Sequence, residues 1–349
     1  FLRFIAEAPE RTRYVFIDEV QRIPGCGRFI KGLLDLRLPL KFVLTGSSSL
    51  DVRSAIGEPM TGRKLVFRVH PLSFREYLGA VGAVLPPAGV DPRSLVPYEE
   101  ELDYHLEQYA TFGGYPAVVL SGDRDKKLRR IEEIYSSYLE KDIAGSLRVE
   151  NLAAFRKLAV LVAGQQGGLV NRNEVAATLS VSRDTVGRYL DMLENTFVLH
   201  SVTPFFSNPR TELSKMPKEY FVDSGLRNFS LGNFSSALHR ADCGQVMEGL
   251  VAAQLASGLP QGERLHYWRT KSGAEVDFVA GTVDARLACE VKAGGLAAPR
   301  VSRGFRSFLE KFKPGSAMVL NSSLWTSAPV GGHEVQFVPL AVFLAGLGG

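Results

Sequence analysis

The chain has 349 residues, 45% of them hydrophobic, and a formal net charge of +4. That length suits two or three domains, and that apolar content fills real cores, which argues for a folded, soluble protein and against a disordered one. The basic excess is too mild to name a nucleic-acid partner by itself, and Cys26, Cys243 and Cys289 lie too far apart for a zinc or redox spacing.

Scattered thiols point to a reducing, cytoplasmic setting. The opening FLRFIAEAPERTR breaks its apolar run with charge, unlike a signal peptide. No run reaches the roughly 18 apolar residues of a membrane span, so no membrane partner is expected. A start without Met, inside what reads as a helix feeding a strand, leads us to expect a fragment of a longer protein.

The first elements alternate strand and helix. YVFID is an apolar strand, RFIKGLLDL a helix, and KFVLTGSSS a second strand ending in small hydroxyl residues. This is the pattern of a parallel sheet, with its functional groups at the carboxyl ends of the strands. Asp18 and Glu19 stand at such an end, where one carboxylate can hold a metal and the other a water; equally, the pair can favour the first turn of a following helix. LVFRV reads as another strand, followed by a Pro turn and a helix start, and then by the Pro- and Gly-rich GAVGAVLPPAGVDP.

From Tyr98 to about Gly145 the pattern is helical, interrupted at FGGYPAVVL and resumed in KLRRIEEIYSSYLEKDIAG. NRNEVAATL is a helix stopping at Ser180, and Ser182 is an N-cap for a second helix opening RDTVGRYLDML, the spacing of a helix-turn-helix. Strand-like FVLHSVTPF and KEYFVDSGL follow, joined by a polar loop, which completes the order of a winged helix. Its Arg183 and Arg188 are candidates for DNA contact or else solvated surface charges.

The last segment carries the helix VMEGLVAAQLAS, the strand HYWRT, a hairpin made of GAEVDFVA and LACEVKA, the helix VSRGFRSFLEKF, the strand AMVLNS and an apolar tail. Glu248 lies in the first helix, Asp277 on one hairpin arm, and Glu290 and Lys292 alternate as E-x-K on the other. Asp, Glu and Lys on one face are what magnesium-dependent phosphodiester cleavage uses: carboxylates hold the metal and the lysine stabilises charge. The arrangement resembles the restriction-endonuclease-like PD-(D/E)xK core, with Glu275 a further nearby acid and Val276 in the place of the usual proline. A salt-bridged sheet face is the plainer alternative. Trp268 can stack on a base or anchor its strand, and Arg269 and Lys271 can pair with nucleic acid. His70, His105, His200, His239, His266 and His333 are scattered without ligand spacing.

FIDEVQRIP, FVLTGSSSL, TGRKLVFRVHPLSFREYL, FGGYPAVVL, YLEKDI, TVGRYLDMLENTFVL, FVDSGLRN and YWRTKSGAEVDFV with CEVK, in this order, resemble a prokaryotic family of AAA-type ATPases with a C-terminal region of unassigned function. The resemblance implies a partial P-loop sheet over 1–85, a helical lid or linker over 86–150, a winged helix over 151–225 and a PD-(D/E)xK-like α/β domain over 226–349. It implies that Asp18 and Glu19 are the metal and water pair, that Thr45 and Ser47 are polar sensors of the terminal phosphate, and that Arg63 is the arginine placed near a phosphate, either within one chain or across the subunit interface of a homo-oligomer.

ATP and Mg2+ are the implied cofactors and DNA the implied partner. The family's phosphate loop lies upstream of the Asp-Glu strand, where only thirteen residues precede Tyr14 here. QQGG, FGGYP and KAGG lack the Gly-Lys-Ser/Thr ending of such a loop. We therefore expect little ATP turnover by this chain. The contrasting expectation is a non-catalytic regulatory protein, binding DNA or protein, whose acidic sites are structural.

Overall fold

The computed structural model describes residues 12–46, 64–86, 91–137, 149–205, 216–260, 262–281 and 286–346. The chain is mixed α/β and divides into two compact units, one holding residues 1–69 and 191–197, the other 70–190 and 198–349.

In the first unit, β1 (Arg13–Ile17) and β2 (Leu40–Leu44) pair in parallel, with Val15 opposite Phe42 and Ile17 opposite Leu44. The helix between them, α1 (Cys26–Asp35), starts after Gly25, whose φ of 72° lets the chain turn sharply into the helix. Cys26 and Ile30 pack with Val20 against Ile17, Phe42 and Leu44, so one face of the strand pair is covered. Tyr14 and Phe16, on the alternate positions of β1, remain exposed. LVFRV forms no strand. Leu65, Val66 and Phe67 are exposed and pair with no strand among the described residues, so the sequence preference for an extended ladder is not realised there.

The second unit opens with α2 (Phe74–Ala80), whose Ser73 and Glu76 form a reciprocal capping box. Next come α3 (Glu99–Phe112), the short α4 (Pro116–Val119) and α5 (Arg124–Tyr135). The helices α6 (Leu152–Gly164) and α7 (Arg172–Leu179) follow, then α8 (Arg183–Asn195), of which residues 183–190 belong to this unit. α7 ends at Ser180 in a left-handed conformation, and the Ser182 hydroxyl accepts the Thr185 N–H at 3.0 Å, as the sequence indicates.

Strand β3 (Leu199–Pro204) pairs antiparallel with β4 (Lys218–Phe221), and Leu169, ahead of α7, bridges to Lys218. The run VDSGL, read from sequence as strand, turns into α9 (Ser224–Ser230), because the Asp223 side chain caps its first turn.

The remaining elements are α10 (Cys243–Gly258), β5 (His266–Arg269), β6 (Glu275–Ala280), β7 (Leu287–Val291), α11 (Arg303–Phe312), β8 (Ser316–Asn321), β9 (Thr326–Val330), β10 (His333–Pro339) and α12 (Leu340–Gly346). One mixed eight-stranded sheet runs through them in the order β4-β3-β5-β6-β7-β8-β10-β9. The strand pair that follows α8 is therefore continuous with the sheet of the C-terminal segment.

A large core around Tyr220, Val251, Phe278 and Leu320 joins this sheet to α3, α10 and α12. A second core packs Phe305, Phe308 and Leu309 of α11 on Val276, Val279 and Val319. Gly304 permits that packing, since a Cβ there would stand 2.5 Å from the Glu275 backbone nitrogen.

No helix among the described residues is long and apolar enough to cross a membrane.

Candidate functional site

Two acidic groupings match the sequence candidates, one in each unit. In the first, parallel pairing sets the tips of β1 and β2 side by side, with the Thr45 N–H donating to Ile17 O at 3.0 Å and the Val20 N–H to Thr45 O at 3.0 Å. The Thr45 hydroxyl donates to the Asp18 carboxylate. Glu19 adopts a left-handed conformation, φ 49° and ψ 48°, and its carboxylate pairs with Arg22 at 3.5 Å. The strand end thus carries an exposed Asp18 braced by a hydroxyl. Ser47 and Arg63 lie outside the described residues.

The second grouping sits where α10 crosses β4, β6 and β7. Pairing of Phe278 with Cys289 places Asp277 across from Glu290 on the neighbouring antiparallel strand. The Val291 N–H donates to Asp277 Oδ2 at 2.8 Å. Lys292 Nζ lies 2.8 Å from Glu290 Oε1, and the Ser302 N–H, capping α11, reaches Glu290 Oε2 at 3.4 Å. Beside Asp277 the pairing of β5 with β6 loses register: His266 faces Val279 while Trp268 faces Val276. An extra residue of this kind twists a strand and re-aims its side chains, a device common beside functional sites.

The sequence reading missed Lys218 and Tyr220, both on β4. Lys218 Nζ lies 3.3 Å from Glu248 Oε1 and 2.5 Å from Glu275 Oε1, and the Tyr220 hydroxyl donates to the same Glu248 oxygen. Arg269 also reaches Glu275, at 3.5 Å. The signal was present in KEYF, where a lysine and a tyrosine two apart in an apolar strand share one face. It was unreadable without knowing that β4 joins this sheet.

Trp268 is buried and meets Phe308 edge to face, ring centroids 5.4 Å apart, so it anchors its strand.

The electrostatics follow from this crowding. Burial, then the charge of Glu248 and also that of Glu290, pushes Asp277 up to about 7, against the Val291 N–H and Lys218, which pull it down. Burial alone would lower Lys292, but its bond to Glu290 and the charges of Glu290, Asp277 and Glu248 carry it upward. Lys218 moves the same way: burial opposes, and Glu248 and Glu275 outweigh it.

Among the described residues no group of three or more His, Cys, Asp or Glu side chains is placed to hold a metal ion. Asp277 and Glu290, two carboxylates whose charges repel, are donors of the kind taken by a hard divalent cation that keeps much of its water, which is the habit of magnesium. The donor chemistry fits magnesium on Asp277 and Glu290, and the tip of β1 offers Asp18 for the same ion.

Arg183 is exposed at the start of α8, while Arg188 meets Glu150 at 3.8 Å.

Residues 1–78 match the AAA domain family. Residues 103–237 match a domain of unknown function (DUF8612), and residues 243–342 match another (DUF4143). The AAA segment therefore holds Asp18 and Thr45, and the DUF4143 segment holds Glu248, Asp277, Glu290 and Lys292.

Similar proteins include an uncharacterized protein of Haemophilus influenzae, 27% identical over 80% of this chain and 65% of that one. An uncharacterized protein of Mycobacterium tuberculosis is 28% identical over 84% of this chain and 62% of its own. One of Methanocaldococcus jannaschii is 26% identical over 79% and 60%. The chain thus spans less than two thirds of the length of these relatives. No solved structure matches the chain.

Proposed function

We propose that the chain is part of an AAA-type ATP-binding protein in which a winged helix directs a magnesium-dependent, PD-(D/E)xK-type nuclease site to DNA. The observation that carries the nuclease reading is the meeting of Asp277 and Glu290 on adjacent strands, with Lys292 bonded to Glu290 and the charge of Glu248 acting on Asp277.

Magnesium, when bound, would polarise a phosphoryl oxygen and acidify a water. Asp277 and Glu290 would hold it. Lys292, whose side chain is 43% exposed, has access to a phosphate and would stabilise the charge that grows on it as the phosphodiester bond to the leaving oxygen breaks.

The winged-helix reading is supported by the order α6, the Leu169 bridge, α7, α8, β3, β4: helix, strand contact, two helices, two strands. Arg183 and Arg188 are its proposed phosphate contacts. The AAA match supports nucleotide and magnesium use in general, and Asp18 with Thr45 are the residues proposed to meet them; Glu19 and, by resemblance, Ser47 and Arg63 complete that set.

A titration of magnesium with supercoiled, linear and single-stranded DNA, scored for binding and cleavage, tests the reading. Cleavage lost in both Asp277→Ala and Lys292→Ala supports it. Binding without cleavage, unchanged by either substitution, favours a regulatory protein with structural acids. That second reading draws on one feature: both lysines near the acids are already engaged, Lys218 with Glu248 and Glu275, and Lys292 with Glu290.

A further inference from the structure

We infer that Lys218 and Tyr220 of β4 are positioning residues of the acidic site, fixing the helix-borne Glu248 beside the metal-holding pair; the inference rests on the nuclease reading above. Both donors fall on one oxygen, Oε1 of Glu248. Its other oxygen, Oε2, receives no hydrogen bond among the described residues. Gly167 closes one side of the carboxylate: a Cβ there would stand 3.1 Å from Oε1 and 3.2 Å from Oε2. Two donors therefore hold one oxygen, and the backbone at Gly167 stands against both.

Lys218 is only 2% exposed. Taking an ammonium out of water is costly, and a well-packed apolar residue in place of a buried ion pair is often as stable or more so. Stability alone is thus a poor account of a lysine here. A role in holding two carboxylates at a set separation accounts for it, as groups behind metal ligands commonly do. Lys218 spans Glu248 and Glu275, and its Nζ lies 5.4 Å over the Tyr267 ring, which leaves its ammonium little freedom.

The placement also divides the site between the two domains of unknown function. Glu248, Asp277, Glu290 and Lys292 lie in the DUF4143 match, whereas Lys218 and Tyr220 lie in the DUF8612 match. β4 is stitched to the turn after α6 as well, through the Gly167 N–H to Glu219 O at 3.2 Å and the Phe221 N–H to Gln166 Oε1 at 2.9 Å. The segment that carries the helix-turn-helix therefore completes the site, and the C-terminal segment alone lacks the clamp.

The test is calorimetric titration of magnesium chloride into the whole chain, with thermal unfolding and DNA cleavage recorded alongside. The variants are Tyr220→Phe, Lys218→Arg, and Lys218→Met combined with Glu275→Gln so that Glu275 and Glu248 are not left as two charged acids facing each other. Tyr220→Phe removes a hydroxyl and little volume. We expect magnesium affinity to fall about 10-fold in Tyr220→Phe and about 100-fold in the lysine-free double variant, with partial recovery in Lys218→Arg. kcat falls in the same order while KM for DNA stays.

Unchanged affinity in Tyr220→Phe and in the double variant, with the parent binding magnesium, overturns the positioning role and leaves the nuclease reading standing. So does a loss that only follows the unfolded fraction in every variant. A parent that neither binds magnesium nor cleaves DNA overturns both.

Discussion

Lys218 and Glu275 form an ion pair of 2.5 Å although two strands, β3 and β5, stand between their own strands in the sheet. The side chains reach over the face of those strands, and the pair joins residues 57 positions apart across the boundary between two family matches. Removing the lysine leaves Glu275 and Glu248 facing each other without a cation. Lys218→Met is expected to lower stability by about 3 kcal/mol, and adding Glu275→Gln to recover a good part of it. Urea unfolding of the single and double variants measures both.

Asp277 gives stability a pH dependence of definite sign. Its proton is held more tightly folded, up to about 7, than at the ordinary carboxylate value of 3.8. Its contribution is therefore complete below about pH 4 and is lost as pH rises through about 7. In chelator, Asp277→Asn should unfold later than the parent at pH 8, by roughly 1–3 kcal/mol, with the gap closing toward pH 4. Melting curves at the two pH values decide it, and equal gaps at both would contradict the assignment.

A third prediction concerns the junction between FGGYP and FVDSGLRN. The buried Asp223 carboxylate accepts the Gly114 N–H at 2.7 Å and caps α9 through the Leu226 N–H at 3.0 Å. Asn228 Nδ2 donates to Ala110 O and Thr111 O, at 2.9 Å each. Asp223→Ala should cost about 2–3 kcal/mol, since it loses the cap and strands a buried N–H. Gly113→Ala should cost more. Its φ is 80°, and a Cβ there would stand 2.2 Å from Asp223 Oδ1. Thermal unfolding ranks the two.

If the helix-turn-helix meets DNA, Arg183→Ala and Arg188→Ala should each weaken binding similarly on all sequences and reduce the slope of log affinity against log salt by about 1. A slope unchanged by both substitutions would place nucleic acid elsewhere. Stability should hardly move, because Arg183 is exposed and the Arg188 to Glu150 contact, at 3.8 Å, lies on the surface.

Much of this was legible beforehand. The strand, helix and strand around Asp18 announce themselves by apolar runs and turn residues, and Ser180 and Ser182 mark the break between α7 and α8. Helical Glu248 and the hairpin acids Asp277 and Glu290 could be placed by local pattern alone. What could not be read is long-range. The joining of β3 to β5, which brings Lys218 into the site, leaves no local periodicity. LVFRV has the composition of a strand, but composition does not supply a partner. The hairpin of β9 and β10 was hidden in the apolar tail because Pro329 and the Gly331-Gly332 turn blur its alternation.

Gly304 gives the C-terminal layer a mechanical character. Nothing but hydrogen stands between the start of α11 and the backbone of Glu275, so helix and strand lie in direct backbone contact. Ser302, two residues earlier, carries the N–H that reaches Glu290. A single methyl group added at position 304 would act as a wedge, lifting the helix, withdrawing that N–H and loosening the acids without altering one charge. The alignment of the site is thus set by a thickness, the width of one missing side chain.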